Sequence, residues 1–194
     1  MNKLVEKNLK KALQKKKLNQ VAYAEIAKWL TEKEFEEFVR PLERKILNAE
    51  WENLMDSFYR VVTFGTGGIR GVMDLGTNRI NNYTIRWASQ TCANYLLKHK
   101  KDLAKNGVAI AYDSRNNSEQ FMKETSRVLA ANNISVFIFK YYRATPELSF
   151  TVRELGCAAG IVITASHNPP EFNGYKVYDE KGVQVLPDVG LKIE

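Results

Sequence analysis

The chain has 194 residues, 44% of them hydrophobic and 26% charged, a composition typical of a globular protein with one domain or one domain plus a helical appendage. Residues 1–17 hold seven lysines and one glutamate, hence +6 of the formal net charge of +7, so the remaining body is nearly neutral and nucleic-acid binding is not expected. No apolar run approaches the roughly 20 residues that span a bilayer, and no apolar segment marks a signal peptide. The two cysteines are far apart in the sequence and belong to no CxxC pair, which favours a cytoplasmic protein.

Residues 1–60 have the apolar periodicity of helices. In the first of these helices, the lysines form either a solvated face or a face that binds an anionic surface or polymer. Thr31 and Glu34 have the spacing of a capping box, which predicts a helix with Thr31 as its N-cap. Pro41 predicts that a helix breaks or begins at that point. We therefore expect an N-terminal helical extension over residues 1–60.

The pattern changes at the stretch RVVTFGTGGIRG, residues 60–71. Val61, Val62 and Phe64 predict a short strand, and the glycines after them predict a loop with Arg70 at its tip. This loop is neither a Walker A loop nor a GxGxxG fingerprint, because no Lys-Ser or Lys-Thr pair follows the glycines and an arginine stands where the last glycine should be. It is either a flexible connector or a loop that brings a guanidinium and backbone N–H groups to an anion.

From residue 83 the chain alternates between helices and strands. Helices are predicted over 83–98, 118–133 and 145–156, and strands over 107–113, 134–139 and 158–165. Strands that begin about 25 residues apart suit βαβ units with right-handed crossovers and a parallel sheet. Two further short strands, 175–179 and 182–187, are predicted as a hairpin. The expected fold of residues 61–194 is α/β, with three α/β/α layers and a mostly parallel mixed sheet.

Ligands of open α/β sheets bind beyond the carboxyl ends of the strands. Three predicted turns lie there, at residues 113–115, 143–145 and 166–168. Parallel strands would gather these turns at one edge of the sheet, with Lys176 a few residues further on. The edge then holds two arginines, a histidine, a serine and a lysine, a set that suits an anionic group, most simply a phosphate.

Ser166 stands in the stretch ITASHNPPEFNGYKVY, residues 163–178, where a hydrophobic strand ends at Ser-His-Asn and two prolines stiffen the turn. It is either an ordinary turn serine or a hydroxyl that carries a phosphate, and its neighbours favour the second interpretation. A phosphoserine is doubly charged and needs cations or backbone donors around it. The candidate cations are His167, Arg70, Lys176 and Arg115.

Three motifs in this order, FGTGGIRG, YDSR and TASHNPPEFNGYK, resemble the α-D-phosphohexomutase superfamily of phosphoglucomutases and phosphomannomutases. The serine loop is highly specific to that superfamily, and the match spans about residues 60–190, the first of the domains typical of its members. The helical lead-in is similar to that of the longer bacterial phosphoglucomutases and of the phosphopentomutase branch. Gly67 is a minor departure, since many members carry Asp or Ser there.

The resemblance implies that Ser166 is phosphorylated in the active enzyme and gives its phosphoryl group to a sugar phosphate through a bisphosphate intermediate. Sugar 1-phosphate and 6-phosphate would thus interconvert, with a glucose 1,6-bisphosphate type of activator. The resemblance also implies acid–base and charge-stabilising roles for His167 and Lys176, and it places Arg70 near the phosphoserine. It implies further that Asp113 and Arg115 support the site and that Asn173 and Gly174 shape the loop that carries Lys176. Phosphoryl transfer needs positioning and cations around the phosphoryl oxygens, which these residue types supply.

The resemblance further implies Mg²⁺ bound through the Ser166 phosphate and an Asp-rich DGDxDR loop of a second domain. That loop and the GEESG-type loop that recognises the sugar do not occur in residues 1–194. We therefore expect an excised or truncated first domain that is inactive alone, with a further helix beginning within 187–194. Its partners would be a sugar phosphate and the remaining domains of the enzyme.

Several alternatives stay open. The phosphopentomutase branch is an alternative to phosphoglucomutase and phosphomannomutase, and glucose, mannose, glucosamine and pentose phosphates are all candidate substrates. The same sheet edge would also suit a non-catalytic anion- or nucleotide-binding α/β module. A serine hydrolase is disfavoured, because a nucleophile elbow is missing and His99 and His167 are the two histidines of the sequence.

Overall fold

The computed structural model describes residues 2–65 and 67–185, which fall into two compact units. The first unit contains the chain up to Val62 together with Met73–Asn81. The second contains Thr63–Val72 and the residues from Asn82 onward. Within the described residues, no helix is long and apolar enough to cross a bilayer.

The first unit is helical. It contains helices α1 (Lys3–Gln14), α2 (Gln20–Thr31), α3 (Glu36–Leu47) and α4 (Trp51–Phe58). Its core is aromatic, because the centroid of the Trp29 ring lies 4.7 Å from that of Phe35, 4.9 Å from that of Phe38 and 5.2 Å from that of Phe58. Aromatic pairs in such arrangements add to the free energy gained by apolar burial, so this unit has a core of its own.

Two predictions in the first unit are wrong. Thr31 is the last residue of α2 rather than an N-cap, and its Oγ1 donates a hydrogen bond to the Ala27 carbonyl at 2.9 Å. Pro41 lies inside α3 rather than at a helix boundary. Phe38 and Leu42 on either side of it are buried, and burial of this apolar face outweighs the hydrogen bond that the proline removes.

The second unit is built on a five-stranded sheet. Its strands are β1 (Gly68–Val72), β2 (Val108–Tyr112), β3 (Val136–Ile138), β4 (Ala159–Ile163) and β5 (Phe172–Tyr178). In the spatial order β1-β5-β4-β2-β3, β2 pairs in parallel with β3 and β4, whereas β5 pairs antiparallel with β4 and β1. Four strands therefore run in one direction and β5 in the other, which confirms the predicted mixed, mostly parallel sheet.

Helices lie on both faces of this sheet. They are α5 (Asn82–His99), α6 (Lys101–Ala104), α7 (Ser118–Ala131) and α8 (Thr145–Glu154). On one face, Leu148 of α8 packs against Ala109 of β2 and Val162 of β4. Tyr175 of β5 points to the other face, where its hydroxyl lies beside Cys92 of α5. The predicted three-layer α/β/α arrangement is confirmed.

The first predicted strand lies elsewhere in the chain. Residues 61–64 are outside any strand, and β1 begins at Gly68, inside the stretch predicted as a glycine-rich loop. Arg70 is therefore a strand residue rather than the tip of a loop. A Cβ at Gly68 would overlap the carbonyl of Tyr175, so this glycine permits a close approach of β1 to β5 instead of marking a loop.

The hairpin predicted after the serine loop is present in part. Its first strand is β5, and in the described part of the second predicted strand, 182–185, Gln184 forms a single bridge to Tyr178. The rest of that strand, residues 186 and 187, lies outside the described residues. The helix expected within 187–194 also lies outside them.

Replacing Leu148 by Ala is expected to lower the free energy of unfolding by about 2–5 kcal/mol, because the side chain is fully buried and its loss leaves a cavity beside the sheet. Phe150→Ala on the same helix is the matched control, since that residue is 58% exposed. The control should change the free energy of unfolding by less than about 0.5 kcal/mol. Urea titrations of both variants measure the difference, and equal losses would contradict the packing of α8 on the sheet.

Candidate active site

The chain turns at Ser166 shortly after β4. Hydrogen bonds within the turn hold it: the Ser166 N–H donates to Thr164 Oγ1 at 2.9 Å, and the Asn168 N–H donates to the Ala165 carbonyl at 3.1 Å. Ser166 is exposed and has a φ of 56°, in the left-handed region that residues other than glycine rarely adopt. The turn therefore presents a serine to solvent from a well-defined corner of the backbone.

Lys176 approaches this serine from β5. Its Nζ donates a hydrogen bond to Ser166 Oγ at 2.6 Å. The contact arises because β5 runs antiparallel to β4, which brings Lys176 back beside Val162. An ammonium in this position stabilises negative charge on the serine oxygen or on a phosphate attached to it.

The pKa of the Lys176 ammonium lies below its ordinary value. Partial burial is the largest cause, the positive charge of Arg70 is the second, and the Asp113 carboxylate opposes both. Burial lowers the pKa of a lysine because the charged form loses solvation. Since its proton is released more readily, Lys176 is better suited to proton transfer than an ordinary surface lysine.

Arg70 reaches the same loop from β1. It lies opposite Gly174 in the β1–β5 ladder, and its Nη1 donates to Asn168 Oδ1 at 3.1 Å. The backbones crowd at this point, because a Cβ on residue 174 would lie 2.7 Å from the Ile69 carbonyl oxygen and 2.8 Å from that of Thr164. Glycine at position 174 thus allows β1 to lie close enough for Arg70 to reach the serine loop.

The structure brings three of the four predicted site residues together. Ser166 and Lys176 are in direct contact, and Arg70 binds the same loop through Asn168. His167 is exposed next to Ser166 in the chain. Within the described residues, its imidazole makes no hydrogen bond to the serine, so its predicted acid–base role stays a prediction.

Two arginines predicted among the cations of this edge have other partners. The Arg115 guanidinium donates to main-chain carbonyls of the serine loop, and its Nε lies 3.3 Å from Asp113 Oδ2. The Nε of Arg143 lies 3.1 Å from Glu147 Oε2. The prediction of Arg115 as a ligand of the phosphate is corrected, because its donors face protein oxygens.

Two residues that position the loop, Thr164 and Ser118, escape the sequence analysis, whereas Asn173 is expected from the resemblance to shape the loop of Lys176. The buried Asn173 amide donates to the Asn116 carbonyl at 3.0 Å and to Ser118 Oγ at 2.9 Å. Ser118 Oγ donates in turn to Asp113 Oδ1 at 2.6 Å. The Thr-x-Ser pattern is typical of a hydroxyl-capped turn and could have indicated Thr164. No local pattern indicates the partners of Asn173, which lie in a distant part of the sequence.

The described residues do not form a metal centre by themselves. They contain no group of three or more His, Cys, Asp and Glu side chains that could hold an ion. Ser166 Oγ lies next to an ammonium, and the Asp113 carboxylate is paired with Arg115. This set of donors does not fit Mg²⁺, which takes several oxygen ligands and usually at least one carboxylate.

Part of the chain is similar to known proteins. Residues 61–194 match the family model of the phosphoglucomutase/phosphomannomutase alpha/beta/alpha domain I. The phosphoglucomutase of Staphylococcus saprophyticus is 48% identical over 136 residues, which are 70% of this chain and 24% of that protein. The phosphoglucomutase of Staphylococcus haemolyticus is 43% identical over the same shares of the two chains. The chain thus spans about a quarter of the length of the curated relatives it matches.

A solved structure has the same fold. It is a protein of Thermus thermophilus that is assigned as a phosphomannomutase, and it superposes with a TM-score of 0.62 at 31% sequence identity. The superposition covers 69% of this chain and 29% of that one. The likeness therefore concerns one part of a longer protein.

Replacing Arg70 by Ala is expected to raise the pKa of Lys176 towards its ordinary value. The positive charge of Arg70 is one of the two causes that lower this pKa. Without it, partial burial alone lowers the pKa, and the Asp113 carboxylate still raises it. Arg143→Ala is the matched control, since that guanidinium is paired with Glu147. The measurement is an NMR pH titration of the protein with ¹³C-labelled lysines. An unchanged Lys176 pKa in the Arg70 variant would contradict the proximity of the two cations.

Proposed function

The chain belongs to the phosphoglucomutase/phosphomannomutase family, as its α/β/α domain I, and from this we propose that Ser166 carries the phosphoryl group that the enzyme exchanges with a sugar phosphate. The observation that supports the proposal most directly is the 2.6 Å hydrogen bond from Lys176 Nζ to Ser166 Oγ. A serine hydroxyl becomes useful in group transfer when a neighbouring group stabilises its charge or moves its proton. Lys176 is placed to do both.

In the proposed half-reaction, a hydroxyl of the sugar phosphate attacks the phosphorus atom on phosphorylated Ser166. A new bond forms between phosphorus and the sugar oxygen as the bond between phosphorus and Ser166 Oγ breaks. The proton of the sugar hydroxyl passes to a base, and Oγ keeps the electron pair, where the Lys176 ammonium stabilises or protonates it. The resulting sugar bisphosphate turns over, and the reverse reaction returns its other phosphoryl group to Ser166.

The supporting roles follow from position and charge. Arg70 lies against the serine loop and supplies positive charge for the phosphoryl oxygens. His167 takes the proton of the sugar hydroxyl in this proposal, because Lys176 acts as the ammonium beside Ser166 Oγ. A neutral imidazole is suited to this because one of its ring nitrogens can accept a proton, and the lowered pKa of Lys176 favours release of its proton to Oγ.

Mg²⁺ enters this proposal only as a partner of the phosphate. Because the described residues alone do not fit the ion, phosphorylated Ser166 would supply one oxygen ligand and the remaining ligands would come from outside these residues. When bound, the ion would neutralise charge on the phosphoryl oxygens.

Glucose phosphate is the substrate that we propose, because the two similar proteins from Staphylococcus are named phosphoglucomutases. Mannose, glucosamine and pentose phosphates are the alternatives, and a comparison of kcat/KM among the four sugar phosphates separates them. Glucose 1,6-bisphosphate would phosphorylate Ser166 at the start of the reaction. The proposed location of the enzyme is the cytoplasm.

The 194 residues alone are expected to have no mutase activity. They contain the serine loop, whereas the described residues include no carboxylate cluster for the metal ion. A coupled assay of the 194-residue chain with glucose 1-phosphate and glucose 1,6-bisphosphate measures this. Turnover by the chain alone would contradict the need for groups outside it.

Replacing Ser166 by Ala in the complete protein is expected to abolish mutase activity, because it removes the oxygen that lies beside Lys176 and is proposed to carry the phosphoryl group. Incubation with glucose 1,6-bisphosphate should add the mass of one phosphoryl group to the parent protein and none to this variant. Ser114→Ala is the matched control, because Ser114 is an exposed serine after the neighbouring strand β2. Intact-mass spectrometry and the coupled assay give the two readouts.

Two outcomes would refute the proposal. Activity near the parental level in Ser166→Ala would show that another group carries the phosphate. Tight binding of sugar phosphate without covalent phosphorylation of the parent protein would favour the non-catalytic anion-binding module instead.

A further inference from the structure

The Arg115 guanidinium donates hydrogen bonds to four main-chain carbonyls of the serine loop. Its Nη1 donates to the carbonyls of Pro169 at 2.8 Å and Phe172 at 3.2 Å, and its Nη2 donates to those of Ser166 at 2.7 Å and Asn168 at 2.6 Å. A planar guanidinium with several fixed donors suits such a convergence of acceptors. The loop is thus folded around the end of one side chain.

Arg115 is itself held in place by Asp113. The Nε of Arg115 lies 3.3 Å from Asp113 Oδ2, and the Arg115 backbone N–H donates to Asp113 Oδ1 at 3.0 Å. The same carboxylate accepts a hydrogen bond from Ser118 Oγ at 2.6 Å. Because the Arg115 side chain is only 14% exposed and its charge is paired, it serves the loop rather than an external anion.

The direction of a carbonyl also fixes the direction of the next N–H. In a trans peptide the C=O and N–H bonds point to opposite sides, and the described residues contain no cis peptide. Because the Ser166 carbonyl points to Arg115, the main-chain N–H of His167 points away from it. Within the described residues this N–H makes no hydrogen bond. Backbone N–H groups beside a left-handed residue are suited to bind anions.

We propose that Arg115 is a positioning residue for phosphoryl transfer: it draws the loop carbonyls inward, holds Ser166 in its left-handed conformation and thereby leaves the main-chain N–H of His167 to bind the phosphoryl group. This inference rests on the proposed function of Ser166 as the phosphoryl carrier. It assigns a second role at residue 167, to the backbone rather than the imidazole. It also explains why a guanidinium beside the site makes its hydrogen bonds to carbonyls.

The first experiment measures kinetics in the complete protein. In Arg115→Ala, kcat with glucose 1-phosphate should fall about a hundredfold because the serine shifts from its productive position, whereas KM should change less than about threefold. Added guanidinium ion at low millimolar concentration should restore part of kcat in this variant. Arg115→Lys should be as slow as Arg115→Ala, because an ammonium cannot span the four carbonyls. Arg143→Ala is the control and should keep parental kcat.

The second experiment does not depend on activity. In protein labelled with ¹⁵N-histidine, inorganic phosphate should shift the His167 main-chain resonance of the parent and of Arg143→Ala, but not that of Arg115→Ala. Thermal unfolding of each variant checks that it is folded. If Arg115→Ala fails to fold, the same measurements on Arg115→Lys replace it.

The outcomes separate the two proposals. A parental kcat and a parental His167 response in the Arg115 variants would overturn the positioning role. A loss of kcat that guanidinium does not restore, with the His167 response intact, would also overturn it. If the parent protein neither gains a phosphoryl group at Ser166 nor turns over substrate, the proposed function fails, and the His167 titration still decides whether Arg115 orients the loop.

Discussion

The candidate site depends on one reversal of chain direction. The chain leaves β4, turns at Ser166 and returns beside β4 as β5, which among the described strands is the one that runs against the others. The pairing register then sets Lys176 opposite Val162 on one side and Gly174 opposite Arg70 on the other. Because side chains alternate between the faces of a sheet, a slip of one residue would turn Lys176 to the other face. The register of β5 therefore determines both cationic neighbours of the serine loop.

Much of this fold follows from patterns that are local in the sequence. The strands β2 and β4 are short and wholly buried, and apart from Tyr112 they consist of small and branched apolar residues; helices of suitable length lie between the strands. Such alternation leaves few topologies other than a layered α/β sheet. The carboxyl ends of parallel strands then fall at one edge, which is how Ser166 and Asp113 could be assigned to one site from their places in the sequence.

The arginines show where local patterns are insufficient. The glycines around Arg70 indicate freedom of the backbone, but whether that freedom serves a loop or a close strand contact depends on β5, about a hundred residues downstream. The sequence shows that Arg115 carries a positive charge. It does not show which groups accept its hydrogen bonds, because these lie 51 to 57 residues further along the chain. A sequence reveals the donors that a side chain carries, and the tertiary fold decides whether a ligand or the backbone receives them.

At Ser166, the requirements of stability and of chemistry differ: the left-handed backbone favours glycine, whereas phosphoryl transfer needs a hydroxyl. Glycine adopts a φ near 56° without the steric strain that a Cβ brings, and for other residues that strain is on the order of 1–2 kcal/mol. Under selection for thermal stability alone, this corner would drift towards glycine and lose its hydroxyl. If serine is retained here, the catalytic need for its hydroxyl outweighs the small gain in folding stability that glycine would give.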